Sequence, residues 1–178
     1  MPAVAAPPTN LGARLADIAA ADVGKLEVTR NRAPWIQKYW PATDYPQGYA
    51  NREPYCAAAV TYWVAQWLKD AAVLANLGMT ASSAERWRCK SAGAFRWLEW
   101  ARAKGVRTFS DSPGLRLQPG DIMVFDMSHI GIVESATVGS SIYTIEANTG
   151  ATGGRDGDGC FRKIRPRSLA RGFIRLVR

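Results

Sequence analysis

PYCAAAVTYWV, residues 54–64, passes from a proline-broken loop into an alanine-rich run, and the fold turns on that change. Pro54 disfavours helix at the residue before it, while Cys56 and the three alanines after it open a segment that reads as helix to about Leu68. Val60, Trp63, Val64 and Trp67 recur at helical spacing and form one apolar stripe. Upstream, residues 30–55 carry Pro34, Pro41, Pro46 and Pro54 among aromatics and Asn, which forbids a long helix and predicts an ordered loop. Further back, Leu11, Leu15, Ile18 and Ala19 share a face of a helix expected over 11–21, with Asn10 as its N-cap. A second helical region is expected from about Ser82 to Lys104, with Trp87, Ala94, Trp97, Leu98 and Ala101 inward and Gly105 ending it.

Beyond the Pro119-Gly120 turn the apolar period shortens to two. DIMVFD (121–126), HIGIVE (129–134), SIYTIEAN (141–148), CFRKIR (160–165) and FIRLV (173–177) read as short strands, and the glycine-rich 150–159 as a long hairpin loop. Helices first and strands after give an α+β fold, N-terminal helices packed on an antiparallel sheet of about five strands. The expected organisation is a loose segment over 1–10 followed by one domain over 11–178.

Composition narrows the function classes. The chain has 178 residues, is 47% hydrophobic and carries a net charge of +8. No apolar run approaches the roughly 20 residues needed to span a bilayer, so stable membrane insertion is not expected. MPAVAAPPTN has no basic residue before its Pro-broken apolar stretch and does not read as a secretory signal. The basic excess suits polyanionic partners such as envelope polymers, or serves solubility alone. No nucleic-acid motif accompanies it, so nucleic acid is not expected as a partner. Three cysteines without a CxxC, and one distant histidine, argue against structural zinc; neither a metal nor a cofactor is expected.

The chemistry-bearing residues are few. A thiol at Cys56 would sit at the positive end of a helix dipole, an environment that favours the reactive thiolate; a buried structural cysteine is the competing reading. Cys89, read as mid-helix, has no free backbone N–H beside it for an oxyanion and is expected to be structural. Cys160, after Asp156 and Asp158, is read as structural or as a disulfide partner in an oxidising compartment. His129 opens a strand. In SIYTIEAN, alternation puts Ile142, Thr144, Glu146 and Asn148 on one face. A carboxylate there can hold one imidazole N–H and leave the other nitrogen for a thiol, and Asn148 can act as an uncharged orienter. A cysteine at a helix start, with a histidine and polar orienter on adjacent strands, is the papain-type arrangement.

In that order the motifs resemble the CHAP family, the cysteine- and histidine-dependent amidohydrolases/peptidases within the NlpC-like papain superfamily. AADVGKLEVTRNRAPWIQKYW resembles the family's N-terminal helix and loop. PYCAAAVTYWV, LQPGDIMVF, SHIGIVES and YTIEANTG follow in family order. The resemblance implies a papain-like fold with Cys56 as nucleophile, His129 as general base, Glu146 as its orienting residue and Asn148 as the fourth polar member. It implies an oxyanion hole containing the Cys56 N–H, and hydrolysis of peptidoglycan at the muramoyl–L-alanine amide or within the peptides. Some members bind calcium before the cysteine; ATDYPQGYANREPYC has only Asp44 and Glu53 there, so none is expected. The aromatic loop before Cys56 is expected to wall a substrate groove, with Tyr55, Tyr49 and Trp40 as candidates, against the alternative that the rings pack the loop. The expected protein is a monomeric phage endolysin, made in the host bacterial cytoplasm and acting on the wall after release. A secretion-system amidase effector, a tail lysin and a protein-directed thiol protease or deamidase share the same chemistry.

Overall fold

A computed structural model describes residues 10–135, 141–151 and 156–178. Most of the expected loose N-terminal segment (1–9) and the middle of the glycine-rich loop (152–155) lie outside the described residues. The helices come first: α1 Leu11–Ala20, α2 Pro34–Gln37, α3 Cys56–Trp67, α4 Ala71–Leu77, α5 Ala81–Trp87 and α6 Ala94–Ala103. The strands follow: β1 Arg107–Phe109, β2 Ile122–Phe125, β3 His129–Ser135, β4 Ser141–Thr149, β5 Gly159–Pro166 and β6 Ala170–Arg175. This is an α+β fold, consistent with a papain-like domain.

Local chemistry explains the helix ends. Asn10 accepts a hydrogen bond from the Ala13 N–H at 3.1 Å and caps α1. Asp70 caps α4, which stops at Gly78 in the left-handed region (φ 66°). The loop over 30–55 holds α2 and two 3-10 turns, Trp40–Ala42 and Pro46–Gly48, as its prolines require.

The helix expected over 82–104 is instead α5 and α6, parted at 88–93. Arg88 turns to extended backbone (ψ 151°), and its guanidinium binds Glu85 at 2.6 and 2.8 Å and the Ala42 carbonyl at 2.6 Å. Thr61 donates to the Ser91 carbonyl and the Asp44 N–H to that of Lys90, so tertiary partners take backbone groups that a continuous helix would use. Cys89 therefore lies in the break and not mid-helix.

Six strands form one antiparallel sheet in the order β1-β6-β2-β3-β4-β5. The strand beyond the expected five is β1, three residues pairing with β6 at the edge and too short to show alternation. Ile130, Ile132, Ile145, Ala147 and Ile174 pack into the main core with α1, α3 and α6. The other face carries a smaller apolar cluster of Leu117, Met123, Phe125, Val133, Ile142 and Phe173. The helical layer is anchored by Asp22, buried beneath α3, which accepts from Trp63 Nε1 (2.9 Å), Tyr39 Oη (2.7 Å) and the Lys25 and Lys38 ammonium groups. Two glycines let α1 approach the sheet. A Cβ on Gly12 would lie 2.2 Å from the Pro119 carbonyl, and Gly120, at φ 86°, backs onto Gly12 in turn.

Candidate active site

Cys56 is the first residue of α3 and is 6% exposed. Tyr55 before it supplies no side-chain cap, so the helix start keeps backbone N–H groups for another acceptor. Ala57, Ala58 and Ala59 are fully buried, and their small side chains let this end of α3 sit close to β3 and β4.

His129 is the first residue of β3, opposite Phe125 of β2, and its ring is fully buried with the Phe125 ring centroid 5.3 Å away. Its Nε2 lies 2.9 Å from Oε2 of Glu146 on β4. A carboxylate only accepts, so Nε2 carries the proton and Nδ1 is the nitrogen left toward the thiol. Nδ1 is buried with no hydrogen-bond partner, yet the Cys56 sulfur is near enough to perturb the ring. Burial works against charge on His129, but Cys56 and then Glu146 more than offset it and raise the ring to about 9.

Glu146 is fully buried and heavily held. Oε1 accepts from Thr144 Oγ1 at 2.6 Å and Arg165 Nε at 2.8 Å; Oε2 accepts from Arg165 Nη2 at 2.6 Å as well as from His129. Burial alone would raise this carboxyl, but Arg165, His129 and Thr144 together hold it at about 2. Thr144 and Glu146 share a face as the alternation predicts. Asn148 does not continue it. Beside a bulge between Ala147 and Thr149 it adopts φ 56°, a left-handed conformation that asparagine tolerates. It makes no contact with His129 of the kind Glu146 makes. Its side chain instead joins Cys56 in lining an open cleft of about 230 Å³, with Oδ1 buried and unpartnered.

A family model described as the CHAP domain matches residues 44–148, a span that contains Cys56, His129 and Glu146 and ends on Asn148. The chain belongs to the CHAP domain family. No curated protein matches it closely enough to add a named relative. As a CHAP domain it is a hydrolase of the amidase/peptidase type, and peptidoglycan is the substrate that membership implies.

The aromatic loop of this CHAP domain divides. Tyr45, half-buried, lines the cleft, while Trp40 borders it but is 1% exposed and packs against Gly48. Tyr55 and Tyr49 are not brought there. Tyr55 is fully buried among Trp35 and Tyr39 and has no surface to offer a substrate. Tyr49 packs under the Arg32 guanidinium and donates its hydroxyl to the Ala33 carbonyl. Aromatic composition did not distinguish rings that pack the loop from rings that face the groove.

The other two thiols are free and buried. Burial pushes Cys89 up to about 11 and Cys160 up to about 12, the latter helped by the Asp22 charge. Among the described residues no three His, Cys, Asp or Glu side chains converge as a metal site. No helix among them is long and apolar enough to cross a membrane.

Three further residues support the site, and two of them do not stand out in the sequence. Thr144 was legible, two residues before Glu146 on its face. Gly131 interrupts the apolar run HIGIV; a Cβ there would lie 2.7 Å from Glu146 Cγ, so the glycine makes room for the carboxylate to cross from β4 to His129. Arg165 lay within a basic cluster, and only the β4–β5 register turns it toward Glu146.

Proposed function

We propose that this CHAP domain, acting as one catalytic unit over residues 11–178, cleaves peptidoglycan amide bonds through a Cys56 thioester, with His129 as acid and base. The observation that carries the reading is the His129 Nε2–Glu146 Oε2 bond of 2.9 Å. It commits Nε2 to a carboxylate and leaves Nδ1 for the thiol.

With its pKa raised to about 9, His129 is an imidazolium at neutral pH, and the nucleophile is the thiolate form of Cys56. The thiolate attacks the amide carbonyl, and the oxyanion is received by the Cys56 N–H at the uncapped start of α3. As the intermediate collapses, imidazolium gives its proton to the leaving amine and the C–N bond breaks. Neutral His129 then takes a proton from water, the hydroxide adds to the thioester, and thiolate leaves with the carboxylate product. Glu146 fixes the tautomer throughout. Asn148 supplies an amide at the cleft wall beside the nucleophile, and Tyr45 gives the substrate strand an aromatic side.

The biological role that suits a small, basic wall hydrolase is a phage endolysin, made in the host cytoplasm and acting on the wall after release. Its charge of +8 favours accumulation at an anionic envelope. Mass spectrometry of purified peptidoglycan digested by wild type and by Cys56→Ala tests the reading. New free amino groups at L-alanine mark an amidase; new termini within the stem or cross-bridge mark an endopeptidase. A digest by wild type indistinguishable from undigested wall refutes both.

A further inference from the structure

Arg165 is a charged residue buried against the proposed catalytic pair without reaching the cleft. It sits on β5 opposite Ile142, is 7% exposed, and stacks its guanidinium 5.6 Å from the centroid of Phe125. Phe125 also flanks His129, so one ring walls both. The guanidinium forks onto Glu146 with bonds of 2.8 and 2.6 Å, and its Nη2 lies 3.4 Å from Thr149 Oγ1. Two parallel charge-assisted bonds fix a carboxylate's plane as well as its place.

We propose that Arg165 is a positioning residue for the reaction, locking Glu146 in the orientation and ionisation state in which it holds His129 Nε2. The inference rests on the catalytic reading given above. Its physical basis is the setting of Glu146, which lies on the sheet face shared by Phe125, Val133 and Ile142. A carboxyl buried there without a cation favours its neutral form, and a neutral acid no longer opposes an imidazolium. Arg165 gives the buried Glu146 carboxylate a permanent cation beside His129, whichever form the imidazole takes. Without it, that carboxylate loses its charged partner each time the imidazole is neutral. Thr144 contributes a single bond to Oε1 and cannot replace a fork that spans both oxygens.

The test is a carboxyl titration followed by 13C NMR on glutamate-labelled, tag-free protein, with Glu146→Gln assigning the resonance and kcat measured on the same samples. In the wild type Glu146 stays ionised to about pH 2. In Arg165→Met its midpoint rises by about 1–3 pH units, the usual effect of losing an adjacent cation. In the same variant kcat falls by roughly 10²-fold, the cost of a misplaced catalytic group. Arg165→Gln, which keeps a donor without the charge, moves both in the same direction and serves if the Met variant does not fold. Arg165→Lys restores most of the wild-type midpoint. A folded Met or Gln variant with the wild-type Glu146 midpoint and kcat overturns the proposal. Cys56→Ala, run alongside, separates the two levels: if it remains active, the catalytic reading fails, whatever Arg165 does.

Discussion

Substituting Gly131 by alanine tests the strand geometry with the smallest perturbation available. The added methyl would lie 2.7 Å from Glu146 Cγ and 2.9 Å from the Ile145 carbonyl oxygen. Unstrained carbon contacts sit at about 3.5–4.0 Å, so β3 and β4 must part, or the Glu146 side chain must swing, by roughly 1 Å. The backbone oxygen belongs to a paired strand, and the side chain is held on both oxygens by Arg165 and Thr144, so neither gives way freely. Overpacking of this kind costs about 1–3 kcal/mol. At roughly 2–4 °C per kcal/mol for a chain of this size, the melting temperature falls by several degrees. A 1 Å displacement of Glu146 also takes the 2.9 Å contact with His129 out of hydrogen-bond range, and kcat falls on the order of 10²-fold. Turbidity loss of purified peptidoglycan gives kcat, and circular dichroism gives the melting temperature of the same preparation. Gly131→Ala with wild-type kcat and an unchanged melt would sink the steric explanation, because the carboxylate would then not need the space.

The two titrating partners predict a stability plateau with opposite edges. Glu146, lowered from 4.5 to about 2, contributes fully above pH 4.5, and the contribution is lost as pH falls toward 2. His129, raised from 6.5 to about 9, contributes fully below pH 6.5 and loses its effect as pH rises through 9. Melting temperature against pH should show both edges, and Glu146→Gln should flatten the acid one. Under native conditions at pH 7, iodoacetamide should add once, at Cys56 in the cleft; Cys89 and Cys160 are buried and their thiols raised, and intact-mass analysis counts the adducts. Asp22→Ala should destabilise the protein by about 2–5 kcal/mol in urea titrations, because it leaves the buried Trp63 and Tyr39 donors without an acceptor, while the part-exposed Lys25 and Lys38 turn to water.

The part of the site carried by local pattern was legible in the sequence. Cys56 lies two residues after Pro54 and leads an alanine run, and that junction reads as the start of a helix. Thr144 and Glu146 share a strand face because alternation has a fixed period. Asn148 shows where that logic ends. A bulge breaks the period at this residue, and its positive φ carries the side chain to the cleft. Arg165 lies 19 residues from Glu146 across a hairpin, and nothing in its neighbourhood sets it apart from the other basic residues of the cluster. The break at 88–93 was hidden for a related reason. The residues there tolerate a helix, and the bonds from Thr61 and Asp44 and to Ala42 that prevent one are tertiary. Tyr55 and Tyr49 read as groove walls because an aromatic ring looks alike in sequence whether it packs inward or faces a substrate.

The most direct measurement is the rate at which purified peptidoglycan is solubilised by Cys56→Ala beside the wild type, with circular dichroism confirming that both are folded. With Cys56 as the nucleophile, the alanine variant solubilises nothing above the no-enzyme control while its spectrum matches that of the folded wild type. Solubilisation by Cys56→Ala within tenfold of the wild type, a margin of about 1.4 kcal/mol, would contradict that assignment, because the bond would then be broken without the thiol.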